Sequence, residues 1–458
     1  MLETTTTTTT TTTTPATATT MSTYVNATSG ATEHCQTMAV QFPDLAENYY
    51  NKIESYCQQK LWHQLTMIIL DFVSEENKST TLRPVAVAGD DDGNGATNTF
   101  LALYINVVLT VSGKINQLSL ARIATSVAFY SLEAGLVTIE ESNKLLQDLL
   151  DKQESQQSNN NTASILYLQS KISLLTLQAV AAAAASDDIN DDDSKKEKLD
   201  KVYSIIKMNG PLLKQLVSDT PESIIVNSAH YESSMKYYKI VGPPEAFYNE
   251  AVDYLNYYQP KEGDGAVDIQ SQTLAIDLCL AALTGEGVYN LGQVVNNPIL
   301  KVLAQTPQAW LVEMLQACAR GNVNDFKKLC QETYPTQIAS QPALVNMGQQ
   351  MQEKITLLGL IELVFTKPAS ERTLSFEEIA KGLEIPLEQV EWVIMRAFSV
   401  KLMEGSMDEV DGTVHVTWIL PRALGMQQMT DLAIQFGEWA TKVDSTKNVM
   451  EETEICPQ

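Results

Sequence analysis

The stretch FEEIAKGLEIPLEQVEWVIMRAF, residues 376–398, is typical of a helix, a tight turn and a second helix. Ser375 stands where an N-cap residue would begin the first helix, and Glu378 occupies the capping-box position. Upstream, MQEKITLLGLIELVFT predicts another helix and RTLS a short extended piece. Downstream, LMEGSMDEVDGTVHVTW alternates around Asp411-Gly412, which indicates a β-hairpin. The order helix, strand, helix, helix, hairpin predicts a winged-helix fold.

A winged helix raises the question of nucleic-acid binding, which the charge pattern argues against. A recognition helix needs Arg, Lys, Asn or Gln at base edges and further basic residues on phosphates. The candidate helix carries Glu388 and Glu391 against one base, Arg396. Residues 371–420 contain ten acidic and four basic residues, and the whole chain has a formal net charge of −25. Because phosphate backbones and anionic lipids repel such a surface, we expect neither nucleic acid nor a membrane as partner.

The rest of the chain predicts a mainly α-helical protein. Hydrophobic residues make up 44% of it, and Gly (21) and Pro (16) are sparse. Apolar residues recur at helical spacing from about Pro43 onward, and three polar inserts (residues 88–99, 151–163 and 186–196) separate helices as loops. Helical pairs with loops confined to the joints are typical of a stack of helical hairpins. We therefore expect a tetratricopeptide-like helical-hairpin solenoid followed by a winged-helix domain and a C-terminal helix.

Residues that could carry chemistry are scattered. Six cysteines without any CxxC and four dispersed histidines predict reduced thiols, no zinc site and no catalytic residue. Asp90, Asp92 and Asn94 resemble half of a calcium loop, but the twelfth position is Leu101 where a Glu is needed. No secretory signal and no long uninterrupted apolar run is found, so we expect a soluble intracellular protein without a cofactor.

The terminal helix, predicted over residues 422–443, carries an apolar stripe. Its members recur at three and four residues: Met429, Leu432, Phe436, Trp439 and Val443. One interpretation is packing against the chain's own winged helix. The other is a helix offered to partner subunits, where burial of Leu432, Phe436 and Trp439 would contribute about 1.5–3 kcal/mol each.

Four segments together resemble the PCI family, the scaffold subunits of the proteasome lid, the signalosome and translation initiation factor three. They are KLWHQLTMIILDFV (60–73), TGEGVYNLGQVVNNPIL (284–300), FTKPASERTLSFEEIAKGLEI (365–385) and GSMDEVDGTVHVTWILPRAL (405–424). They are most similar to the proteasome-lid branch. The resemblance extends over residues 43–443 with gaps at the polar inserts, and its C-terminal third is the specific part.

Composition, helical periodicity and the resemblance together imply a domain plan. We expect a disordered Thr-rich tail over residues 1–40 and a helical-repeat region over 41–240. A PCI domain follows over 241–421, with a helical part to 350 and the winged helix from 351. The C-terminal helix and tail occupy 422–458.

The resemblance also implies a function, that of a non-catalytic scaffold subunit of a hetero-oligomeric complex in cytoplasm and nucleus. The expected partners are other PCI subunits of the proteasome lid, the lid deubiquitinase pair through C-terminal helices, and the ubiquitin-receptor subunit. The expected contact residues are Val414, Val416 and Trp418 in the hairpin and Met429, Leu432, Phe436 and Trp439 in the terminal helix. The alternatives are a scaffold of the signalosome or of initiation factor three, and, more remotely, a nucleic-acid binder.

Overall fold

A computed structural model describes residues 31–74, 76–85, 97–155, 161–185, 192–216, 220–258, 269–367, 372–421 and 426–454. The chain divides into two compact units, residues 1–237 and 238–458. Both are built mainly from α-helices, as the sequence predicts. The calcium-loop residues Asp90, Asp92 and Asn94, the threonine tract and the centres of the three inserts lie outside the described residues.

Consecutive helices of the first unit pack on each other as helical hairpins, with α1 on α3, α3 on α4, and α8 to α11 in series. The helices are α1 (Ala31–Gln41), α2 (Pro43–Leu45), α3 (Asn51–Gln59), α4 (Trp62–Phe72), α5 (Lys78–Thr81), α6 (Thr99–Leu103), α7 (Leu109–Val111), α8 (Gln117–Glu133), α9 (Ile139–Ser155), α10 (Thr162–Ala185) and α11 (Asp192–Leu213). π-Helical turns cover Ala46–Tyr50 and Tyr104–Val108, and a 3-10 turn covers Ser112–Lys114. Strands β1 (Pro84–Val85) and β2 (Thr97–Asn98) pair antiparallel.

The core of the first unit begins with a chain of aromatic rings. Phe72 is fully buried and makes edge-on contacts with Tyr49, Tyr50 and Phe100, with ring centroids 5.2–5.7 Å apart. Such edge-to-face pairs add to the stabilisation that burial alone provides. The rings join the first helices to α6, so the repeat stack is anchored at its start.

The predicted end of the tail and the predicted ends of the inserts differ from the structure of this unit. Residues 31–41 form helix α1, with Cys35 and Met38 buried, so residues 31–40 are helical where the sequence predicts a disordered tail. Helices extend into the ends of all three predicted inserts: Asn98 caps α6, α9 ends at Ser155, α10 begins at Thr162, and α11 begins at Asp192. Acidic residues are favourable in the first turn of a helix because they face its positive dipole end. The sequence predicts the whole acidic run to be a loop, whereas its last residues begin helix α11.

Helix α10 is, among the described residues, the one segment whose length and composition would allow it to cross a membrane, and half of that segment is buried within the protein. It packs between α9 and α11. Its Lys171 forms an ion pair with Glu232, the Nζ to Oε2 distance being 2.7 Å. A helix enclosed in this way is the core of a helical stack.

Helix α12 (Pro221–Ile240) continues into the second unit, where α14 packs on α13 and α16, and α16 packs on α20. The helices there are α13 (Pro244–Tyr257), α14 (Ile269–Thr284), α15 (Gly292–Val295), α16 (Ala309–Arg320), α17 (Val323–Lys328), α18 (Pro335–Ala339), α19 (Pro342–Asn346), α20 (Gly348–Phe365), α21 (Phe376–Leu383), α22 (Leu387–Ser399) and α23 (Met426–Glu454). A 3-10 segment covers Pro298–Gln305 and a π-helical turn Leu329–Thr333. The strands are β3 (Thr373–Ser375), β4 (Met403–Asp408) and β5 (Thr413–Ile419).

The order α20, β3, α21, α22, β4, β5 is that of a winged helix, which confirms the predicted fold. The three strands pair antiparallel in the spatial order β3-β5-β4, so β5 is the central strand. Gly321, with φ of +69°, ends α16 and turns the chain towards α17. Only glycine adopts this left-handed conformation without strain.

Candidate functional site

Local hydrogen bonds stabilise the first turn of α21 in the winged helix. The hydroxyl of Ser375 accepts a hydrogen bond from the backbone N–H of Glu378 at 3.2 Å, which confirms the predicted N-cap. The Glu378 carboxylate pairs with the Lys367 ammonium at 2.8 Å. The N–H of Phe376 donates to the Gly412 carbonyl in the hairpin loop. These contacts connect the start of α21 to Lys367, just after α20, and to the hairpin loop.

The wing differs in detail from the predicted Asp-Gly turn. Four residues, 409–412, connect β4 to β5, and the Asp408 carboxylate accepts hydrogen bonds from the N–H groups of Val410 and Asp411. Gly412 provides the left-handed conformation, with φ of +59°. The longer loop contains additional backbone N–H groups, and the Asp408 carboxylate accepts hydrogen bonds from two of them.

The central position of β5 corrects part of the predicted contact surface. Val414 and Val416 are 0% and 2% exposed and belong to the core of the winged helix, so they are not accessible to a partner. Trp418, on the same strand, is 39% exposed. Both edges of β5 are paired, by β3 and by β4. Alternation in the sequence shows that Val414 and Val416 share a face, but not that this face is covered.

The exposed surface of the recognition-helix equivalent, α22, is apolar and acidic. Trp392 is 53% and Met395 47% exposed, whereas Val390 and Ile394 pack inward. Arg396 donates from Nε to the Glu353 carboxylate at 2.7 Å, so it is held by its own protein. A helix with this face lacks the free basic side chains that reading base edges requires.

The terminal helix α23 extends further than the sequence predicts, and its apolar side chains are exposed. It reaches Glu454, eleven residues beyond the predicted end, and only residues 455–458 of the predicted loose tail lie outside the description. The predicted contact residues on it are exposed, Met429 by 44%, Leu432 by 38%, Phe436 by 61% and Trp439 by 65%. These side chains are therefore not fully buried by packing on the chain's own winged helix.

Groups suited to catalysis or metal binding are not assembled in the described part of the chain. No cluster of three His, Cys, Asp or Glu side chains that could hold a metal ion is found among those residues. Burial lowers the pKa of His34 and of His230 to about 4, and raises the pKa of the Cys279 and Cys318 thiols to about 12. His415 is exposed on β5, with Nδ1 3.0 Å from the Thr373 hydroxyl. These groups behave as parts of the fold.

Two known family descriptions match the chain in sequence order: PSD13 N-terminal repeats over residues 49–315 and the PCI domain over residues 326–418. The relatives include the 26S proteasome non-ATPase regulatory subunit 13 homolog B of Arabidopsis thaliana, which is 31% identical over 91% of this chain and 96% of that protein. The 26S proteasome non-ATPase regulatory subunit 13 of Dictyostelium discoideum is 29% identical over 94% of this chain and 99% of its own length.

A third relative is the 26S proteasome regulatory subunit RPN9 of Saccharomyces cerevisiae, 29% identical over 88% of this chain and 92% of that protein. The matched regions include both the helical repeats and the winged helix, so the similarity is not limited to a common fold module. The chain therefore belongs to the family of the 26S proteasome non-ATPase regulatory subunit 13, with PSD13 N-terminal repeats followed by a PCI domain.

Proposed function

We propose that the chain is a non-catalytic structural subunit of the lid of the 26S proteasome regulatory particle. In this role it supports lid assembly and ubiquitin-dependent protein degradation through protein–protein contacts. The observation that carries the proposal is family similarity over nearly the whole length of the chain. The acidic winged helix, whose exposed helix presents Trp392 and Met395, agrees with polypeptide partners.

We further propose that the two regions of the chain have different roles. The helical repeats serve as a spacer, and the PCI region, residues 241–421 in our proposed domain plan, engages neighbouring PCI subunits. Since β5 is central, the strands that could accept a neighbour's strand are β3 and β4, whose outer edges have no partner strand among the described residues; β4, with six residues against three in β3, offers the longer edge. Strand addition to such an edge supplies main-chain hydrogen bonds.

The apolar stripe of α23 is the proposed contact with other lid subunits. Its exposed residues from Met429 to Val443 follow the spacing 3-4-3-4, the pattern of a helix that packs with other helices in a bundle. We propose that it joins the C-terminal helices of the lid deubiquitinase pair, and that the ubiquitin-receptor subunit is a further neighbour. The proposed location is cytoplasm and nucleus, and the chain itself is not an enzyme.

The double substitution Phe436→Asp with Trp439→Asp tests this role. Both side chains are exposed, so the purified chain should keep its circular dichroism and its unfolding midpoint. Expressed with an affinity tag, the double variant should recover at least tenfold less of the other proteasome subunits than the unchanged chain. The reason is that Phe436 and Trp439 are two of the three large apolar side chains, with Leu432, that the proposed bundle would bury.

The matched control is Ile434→Asp, on the opposite side of α23 and 57% exposed. It places an acidic residue on the same helix and should leave recovery of proteasome subunits unchanged. Normal recovery with the double variant, or equal loss with the control, would contradict the role of the stripe.

A further inference from the structure

A cleft lies beside α22 in the second unit and is not used in any contact proposed above. It has a volume of about 320 Å³. Its walls come from the turn after α14 (residues 285–289), from the first turns of α20 with Glu353 and Lys354, and from Arg396 at the end of α22. Glu245, at the start of α13, also lines it. Three glutamates and two basic residues thus meet in one concave surface.

The two basic residues of the cleft are already engaged. The Lys354 ammonium donates to the carbonyls of Ala282 and Gly285 at 2.5 and 3.0 Å, where it closes the C-terminal end of α14. The Arg396 guanidinium is paired with Glu353. Neither cation is therefore free to receive an anionic ligand.

Two of the carboxylates form no close ion pair. Glu286 accepts a hydrogen bond from the Gln350 amide at 2.8 Å, and the lining as a whole holds three carboxylates against two cations, which gives it an excess of negative charge. The Glu245 carboxylate lies directly against Gly287. A Cβ atom added at Gly287 would be 2.7 Å from Oε1 of Glu245. Among the ion pairs of the described residues, neither Glu245 nor Glu286 takes part. The cleft is electrostatically suited to a positive charge.

An exposed aromatic side chain adjoins this acidic cleft. Trp392 precedes Arg396 by four residues, so the two side chains lie on the same side of α22, one turn apart. Trp392 and Met395 are about half exposed. Glu388 and Glu391 extend the negative charge along the same helix. Tryptophan beside a charged pocket is a common composition of the energetic centre of a protein interface.

We propose that this cleft, with Trp392 and Met395, binds a lysine or arginine side chain of another polypeptide, flanked there by an apolar residue. The cationic head would enter between Glu245 and Glu286, and the apolar residue would cover Trp392. The excess of carboxylates over cations in the lining disfavours a nucleotide, a nucleic acid or an anionic membrane as the occupant. The partner chemistry is thus a basic, amphipathic segment. This inference rests on the proposed function only in that it expects the segment to belong to a proteasome subunit.

The test replaces Trp392 by the photo-crosslinking residue benzoylphenylalanine in the tagged full-length chain, expressed in cells in place of the natural copy. After irradiation, the cross-linked peptide is sequenced. We expect a segment of another protein that contains Lys or Arg within about four residues of an apolar side chain, since that is one helical turn. Co-purification of proteasome subunits is measured in the same sample.

A charge-reversed version tests the cleft itself. Adding Glu245→Lys and Glu286→Lys to the photo-reactive chain should lower the cross-link yield at least tenfold. The matched control is Glu332→Lys with Glu409→Lys, which changes the net charge equally at exposed sites that do not line the cleft. This control should leave the yield unchanged.

The outcomes separate this inference from the proposed function. A cross-link to an acidic segment, to nucleic acid, within the chain or to a second copy overturns the inference, as does no cross-link or an equal yield after charge reversal. If the chain still recovers proteasome subunits in those cases, the proposed function stands. A charge-sensitive cross-link to a basic segment outside the proteasome, without proteasome subunits, upholds the cleft and contradicts the proposed function.

Discussion

Single residues contribute measurably to the stability of each unit, and Glu232 on α12 is the clearest case in the first unit. Its carboxylate accepts from the Lys171 ammonium at 2.7 Å and from the Lys236 ammonium at 3.2 Å. Burial alone would raise the pKa of Glu232, but the two lysines outweigh burial and lower it to about 2. Lys171 is on α10, so the cluster joins two helices of the stack.

Acid should therefore weaken the first unit through this carboxyl. The folded-state pKa is below the ordinary value of 4.5, so the stabilisation is complete above that value and is lost as pH falls towards 2. Glu232→Gln should lower the free energy of unfolding by about 2–3 kcal/mol at pH 7, and by less at pH 3. Urea unfolding at the two pH values measures this.

The control for that measurement is Glu197→Gln on α11. Glu197 pairs with Lys201 on an exposed surface, where ion pairs contribute little. This variant should unfold at the same urea concentration as the unchanged chain. A Glu232→Gln effect that is absent, or that grows as the pH falls, would contradict the stabilising role of the Lys171–Glu232–Lys236 cluster.

Ser375 shows what sequence can predict at this scale. Its role depends only on neighbouring residues, so the capping pattern was sufficient, and Ser375→Ala should lower the free energy of unfolding by about 1 kcal/mol. Thermal unfolding measures the change, with Ser399→Ala, at the exposed end of α22, as the control that should have no effect. A loss as large in the control would argue against the cap.

Lys354 shows why other residues were missed. Its carbonyl partners Ala282 and Gly285 are 72 and 69 residues away in sequence, and no local pattern links them. Val414 and Val416 were misplaced for a related reason, because whether a strand is central depends on β3, forty residues earlier. The prediction of the contact surface was therefore wrong for residues whose exposure depends on strand pairing between distant parts of the sequence.

Secondary-structure elements were predicted well where an apolar face is continuous and buried, as in α20, α21 and α22. Their ends were predicted less well. Helix α1 was missed because its sequence is weakly apolar, although Cys35 and Met38 are buried by later helices. Helix α23 extends beyond its predicted end because the apolar stripe stops at Val443, after which only Val449 and Met450 are apolar, and an exposed helix needs no apolar face to continue.

Two glycines make a matched test at the scale of the element. Gly405 lies at the bulge between β4 and β5, where a Cβ would stand 2.2 Å from the His415 carbonyl oxygen. Gly405→Ala should therefore destabilise the winged helix by at least about 1–3 kcal/mol, because the backbone must shift. The midpoint of thermal unfolding measures the effect.

Gly437, in the exposed helix α23, has no atom within 4 Å of its Cβ position. Gly437→Ala should leave the winged helix intact and favour the helix by up to about 1 kcal/mol. A neutral Gly405→Ala would mean that the strand register at the bulge is different from the one described here.

At the scale of the whole molecule, charge separates binding to polypeptides from binding to nucleic acid. With a net charge of −25 and an acidic winged helix, the purified chain should pass through a heparin column at about 0.15 M salt. Retention that falls steeply with salt would reveal a basic surface and would contradict the interpretation of α22. Composition alone predicted this property, because net charge does not depend on the fold.

The central claim is that this chain exists to be held by other proteasome subunits. The most direct measurement is purification of the tagged full-length chain under native conditions, followed by quantitative mass spectrometry of everything recovered. The account predicts the regulatory subunits of the 26S proteasome in near-equal molar amounts with the chain. Recovery of signalosome or initiation-factor-three subunits instead, or of the chain alone, would contradict it.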